Sequence, residues 1–109
     1  MPVSSRKDYL DRQLEGVARL LARLLGLRDA GHVDEARKEL DQGARTLLGV
    51  GMMPLGRVDV GTAVGLLRSQ AGVESYARLL EAEAELDPDR ADALRERAHA
   101  VRATGSTRP

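Results

Sequence analysis

The chain has 109 residues, with 17 basic and 17 acidic side chains, two tyrosines, and no cysteine, tryptophan or phenylalanine. That length suits one domain with a sizeable core, and the balanced charge gives no long-range field toward DNA or an anionic membrane. Disulfides, thiolate metal sites, cysteine nucleophiles and aromatic base-stacking platforms are excluded by composition.

The periodicity is helical from end to end. A first helix is expected from Ser5, with Asp8 three residues on in a capping-box-like start. Leu10, Leu14, Val17, Leu21 and Leu24 recur at helical spacing. Leu20, Leu25 and Leu27 widen this stripe to roughly half the circumference, enough to touch two neighbours. Gly31 is the expected left-handed cap. A second helix is expected over 33–48, with Ala36, Leu40, Gly43 and Leu47 inward, and the short link makes the pair an antiparallel hairpin. Residues 49–58 read as a loop of Gly, Met and Pro. A third helix over 59–70 carries Gly61 and Gly65, each costing about 1 kcal/mol relative to Ala. The fourth, over 73–86, turns Tyr76, Leu79 and Leu80 inward. Asp87 can then cap, and Pro88 can take the first position, of a fifth helix whose stripe is Ala91, Leu94, Ala98 and Val101. The expected organisation is a tail at 1–4, one helical domain at 5–103, and a disordered tail at 104–109.

The loop stretch GVGMMPLGR comes close to the phosphate-cradling spacing, with Gly51, Gly56 and a basic residue. A helix precedes it where a strand is needed, Arg57 stands for Lys, Val58 replaces the hydroxyl, and Pro54 removes a backbone donor. Pro54 also stands where a dinucleotide loop needs its third glycine. No nucleotide is expected here. Met52, Met53, Leu55 and Val58 are expected to fold down and plug the open end of the core, the two Met residues alternatively forming an adaptable partner surface.

The segment LLARLLGLRDAGHVDEARKELDQGARTLLG resembles a tetratricopeptide-type unit. Gly31 is in the turn, Ala36 falls five residues later, Leu40 takes the large apolar position and Gly43 the small one. AELDPDRADALRERA is similar to a second turn and return helix, and HVDEA at 32–36 lines up with DPDRA at 87–91. That separation is 55 residues rather than the usual 34, and Arg23 stands at an apolar position of the pattern. Residues 8–103 also resemble a group of small bacterial helical proteins that begin on an acidic–Tyr–Leu start, as in Asp8, Tyr9 and Leu10. The resemblance brings no activity. It implies an all-α fold of about five helices, two tetratricopeptide-like antiparallel hairpins joined by a loop and a short connecting helix, and protein–protein contact by analogy.

Few residues could carry chemistry. His32 lies in a turn and His99 off the apolar stripe, so both are expected in solvent. Ser4, Ser5, Ser69, Ser75 and Ser106 lie at termini or helix ends, where capping is their expected role. Glu81 and Glu85 share a solvated face, whereas Glu83 and Arg28 each fall on an apolar stripe and are expected to be partly buried; whether the two pair or Arg28 reaches outward at the helix end is left open by the spacing. Arg12, Arg19 and Arg23 align opposite the leucine stripe of the first helix. Gly16 beside them suggests that a second backbone comes close, so Arg12, Gly16, Arg19 and Arg23, with Met52 and Met53, are the candidate partner-binding residues. No catalytic, metal or cofactor residue is expected.

The start MPVSSRKDYLDRQLEG lacks the apolar segment of a secretory signal, and no apolar run nears the roughly 18 residues of a spanning helix. The expectation is a non-enzymatic, cytoplasmic interaction or scaffolding protein that meets a protein partner or a second copy of itself, without nucleic-acid or membrane partners. The alternative is a helical domain that binds an apolar small molecule under the 49–58 loop.

Overall fold

The computed structural model describes residues 6–106, which form α1 (Arg6–Asp29), α2 (Val33–Leu48), α3 (Met52–Gly56), α4 (Val60–Leu67), α5 (Gln70–Leu86) and α6 (Ala91–Ser106). A 3₁₀ turn at Pro88–Arg90 leads into α6, and no strand occurs among the described residues. The fold is therefore all-α. Among the described residues, no helix is long and apolar enough to cross a membrane.

The first hairpin closes on Gly31, whose φ of +84° lies in the left-handed region open to glycine. Its N–H bonds to the Arg28 carbonyl at 3.0 Å, and the following N–H, of His32, bonds to Leu27 at 2.8 Å. This double closure satisfies carbonyls that the helix end would otherwise orphan. Contacts then run in opposite directions along α1 and α2. Gln13 donates to the Leu47 carbonyl at 2.7 Å, Leu20 lies over Gly43, and Arg23 pairs with Glu39 at 2.9 Å. Leu20 fills the space that a Cβ on Gly43 would need, so the two helices approach this closely because residue 43 has no side chain.

The second hairpin, α5 with α6, is antiparallel as well. Gln70 donates to the Gly105 carbonyl at 3.1 Å, Arg102 pairs with Glu74 at 3.0 Å, and Arg90 pairs with Glu83 at 3.2 Å. Helix α5 packs against α1, α2, α4 and α6. It is accordingly buried on most of its circumference, with Tyr76, Ala77, Leu79, Leu80 and Ala84 all inside. Tyr76 is the largest fully buried side chain in a core otherwise built from Leu, Val, Ala and Met. The whole measures 48 × 31 × 18 Å, a slab about two helices thick.

Several boundaries differ from those expected. The start at Ser5 lies outside the described residues. The supposed 49–58 loop contains α3, because the Asp41 carboxylate accepts the Met52 N–H at 3.1 Å and so caps a helix eleven residues away in sequence. Pro54 falls inside its first turn, where no N–H is needed. The helix expected over 59–70 stops at Leu67, since Arg68 takes a left-handed φ of 63°. That reversal frees Ser69 to accept the Gly72 N–H at 2.9 Å, and α5 starts at Gln70 rather than at 73. Asp87 makes no side-chain cap; its carboxylate pairs with Arg90 at 3.7 Å, and Pro88 opens the 3₁₀ turn instead. Helix α6 continues through Ser106, beyond the tail expected from 104, with Gly105 buried against Val73. Ser75 is not at a helix end but inside α5, fully buried, its hydroxyl without a hydrogen-bond partner among the described residues.

Candidate functional site

A cavity of about 370 Å³, open to solvent, lies between α2, α3, α5 and α6. Its floor is apolar: Leu40 from α2, Leu80 from α5 and Leu94 from α6 are all nearly inaccessible, and Met52 closes over them from α3. Among the described residues, no aromatic side chain lines this junction, whose apolar lining is Leu and Met.

Helix α3 acts as the roof. Successive helical residues point about 100° apart, so Met52 turns inward while Met53 is 65% exposed on the rim. The roof is held at one end by Asp41 and at the other by Arg97 of α6. The Arg97 guanidinium donates to the Leu55 carbonyl at 2.6 Å, the Val58 carbonyl at 2.8 Å and the Tyr76 hydroxyl at 3.0 Å. Burial pushes the Tyr76 phenol above its ordinary range, and the hydrogen bond from Arg97 offsets part of that shift.

Four arginines, Arg37, Arg57, Arg90 and Arg97, line the cleft against two carboxylates, Asp41 and Glu83. Both acids are engaged, Asp41 with Arg45 at 2.9 Å and Glu83 with Arg90 at 3.2 Å. Among the described residues, Arg37, Arg57 and Arg97 have no carboxylate within ion-pair distance. Arg37 makes one long bond, 3.4 Å, to the last carbonyl of α5, and Arg57 one at 3.5 Å to the Met53 sulfur. The cleft thus combines a greasy floor with surplus positive charge.

The expected partner-binding residues divide. Met52 and Met53 both reach the cleft. Arg12, Arg19 and Arg23 are exposed on α1 and do not line it, and Arg23 is tied to Glu39. Gly16 is corrected: the close neighbour is α2 of the same chain, with Leu47 Cδ2 at 3.0 Å from where a Gly16 Cβ would sit. No second molecule is needed to explain it. The open question of an Arg28–Glu83 pair is answered by Arg28–Glu85 at 2.9 Å, with Arg28 also on Asp29 at 3.1 Å. Both Arg28 and Glu83 are partly buried, as expected. His32 and His99 are exposed.

Arg97 was passed over in the sequence although it flanks Leu94, Ala98 and Val101 on one face. The same reasoning that singled out Arg28 applies to it. Arg37 and Arg90 carried no local signal, because the cleft exists only once four elements meet. Elsewhere, Arg102 grips Glu74 at 3.0 Å and Glu81 at 2.8 Å, holding both carboxyls below their usual range. That cluster satisfies itself. Gly51 is buried, and the first N–H of α3 already faces the Asp41 carboxylate, which would repel a phosphate. Among the described residues, no group of three His, Cys, Asp or Glu side chains could hold a metal ion. No family model, curated protein or solved structure matches this chain.

Proposed function

We propose that this chain is a non-enzymatic binding domain that takes a small molecule into the cleft beneath α3. The observation that carries the reading is the cleft itself, about 370 Å³ and lined by Leu40, Leu80, Leu94 and Met52 beside a few polar side chains. Ligand sites are typically concave, mostly apolar and of roughly 300–1,000 Å³. The non-enzymatic part rests on the two lining carboxylates. Asp41 is spent on Arg45 and the Met52 N–H, and Glu83 on Arg90, so neither is poised as a general base.

Methyl NMR on Met- and Leu-labelled protein tests the reading with 1-octanol as probe. The expected result is saturable shifts at Met52, Leu40, Leu80 and Leu94. Shifts scattered over α1 and α4 with these four methyls silent would overturn it.

A specific observation favours a second reading, protein–protein interaction or scaffolding. Met53 is 65% exposed on the rim beside Arg57, a pairing suited to a partner chain or a second copy lying across the mouth. The tetratricopeptide-like resemblance points the same way, supported by fully buried Ala36 and by the close contact at Gly43. Light scattering across a concentration series distinguishes self-association. A mass that stays monomeric at millimolar protein removes the second copy as occupant.

A further inference from the structure

We infer that the occupant of the cleft is an amphipathic organic anion: a carboxylate headgroup read by Arg37 and Arg57, with an apolar body lying on Leu40, Leu80 and Leu94. This rests on the cleft reading above and adds the chemistry of the ligand.

The charge distribution carries the argument. Glu83 and Asp41 are neutralised by Arg90 and Arg45, and Arg97 is faced by the Asp59 carboxylate, which leaves Arg37 and Arg57 as the lining arginines without a carboxylate within ion-pair distance among the described residues. Arg97 has three of its five N–H donors turned away from the cavity, onto two carbonyls and the Tyr76 hydroxyl. Arg37 and Arg57 are different. Each guanidinium offers five N–H donors in a fixed fork, and among the described residues each makes a single hydrogen bond, Arg37 a long one to a carbonyl at 3.4 Å and Arg57 one to a thioether at 3.5 Å. Two forks with unspent donors therefore border a floor that accepts only hydrocarbon. A cation would meet two unpaired like charges, and a neutral alkyl chain would leave those donors to water. A carboxylate satisfies both halves of the site, since planar bidentate geometry suits guanidinium.

Three probes of equal chain length separate the possibilities: octanoate, 1-octanol and octylammonium, titrated against the whole chain by methyl NMR and calorimetry. Octanoate is expected to bind about tenfold more tightly than 1-octanol, one charge-assisted hydrogen bond's worth at a partly exposed site, and octylammonium more weakly than either. In the Arg37→Gln, Arg57→Gln double variant the octanoate advantage is expected to vanish while 1-octanol affinity stays the same. Both arginines are exposed, so the variant should keep its helical circular dichroism. Equal affinity for octanoate and 1-octanol, or an advantage that survives the double variant, overturns the charge assignment and leaves the cleft reading standing. Silence of the cleft methyls to both probes defeats the cleft reading itself.

Discussion

Replacing Arg97 with Met asks how firmly α3 is held over the core. The substitution keeps an unbranched apolar stem and removes three charge-assisted hydrogen bonds, at 2.6, 2.8 and 3.0 Å. Such bonds are each worth about 1.5–3 kcal/mol when the acceptor is left buried and unpaired. Arg97 is only half-buried, so water can replace part of what is lost, and the acceptors belong to one local network that does not add bond by bond. A total near 3 kcal/mol is the expectation, roughly a 12 °C fall in Tm for a domain of this size. Urea and thermal unfolding followed by far-ultraviolet circular dichroism give both numbers. The companion Tyr76→Phe removes one acceptor and keeps the ring, and a double-mutant cycle should return a coupling of about 1 kcal/mol. An Arg97→Met protein within about 0.5 kcal/mol of the parent would refute the reasoning, because it would mean that α3 stays in position without its pin.

Two further predictions concern packing and charge. Gly26 and Gly43 both sit in helices, but a Cβ meets nothing within 4 Å at Gly26 and runs into Leu20 at Gly43. Gly26→Ala should therefore stabilise by about 1 kcal/mol, whereas Gly43→Ala should destabilise by roughly 1 kcal/mol after its helix-propensity gain is subtracted; equal signs in chemical denaturation would contradict the packing described. Glu74 and Glu81 titrate below their ordinary value of 4.5, chiefly because Arg102 hydrogen-bonds to them. A depressed acid stabilises the fold fully above that value and loses its contribution as pH falls through the lower folded pKa, so Arg102→Met should flatten the fall in stability below pH ~4.5. Urea midpoints at neutral and acid pH read this directly, and an unchanged acid slope would count against the cluster.

Helix α2 was legible to the residue, because Gly31 ends one stripe and Leu48 precedes Gly49 at φ +77°. The inward faces of α5 and α6 followed from spacing alone. What escaped notice depended on partners distant in the chain. Asp41 capping Met52 turns a Gly- and Pro-containing loop into α3, and no window around residue 52 contains that information. Arg28 meets Glu85 rather than Glu83 because the rotation of α5 about its axis is set by its packing on α1 and α2, which a one-helix projection does not see. Gly16 raises the expectation of a second backbone from a partner, and periodicity on α1 cannot say that its neighbour is the Leu47 side chain of the same chain. For the cleft, the Met residues and the sheltered space under 52–55 were foreseeable. Its arginines were not, since Arg37, Arg57, Arg90 and Arg97 come from separate segments and converge only in three dimensions.

Helix α5 touches α1, α2, α4 and α6, which has a consequence for how the molecule is made. During synthesis the first two helices can fold back on one another early, yet their greasy side has nothing to lie on until residues 70–86 emerge. Until α5 emerges, the growing chain thus exposes the apolar side of the α1–α2 hairpin that the finished molecule covers, the kind of surface through which incomplete chains associate.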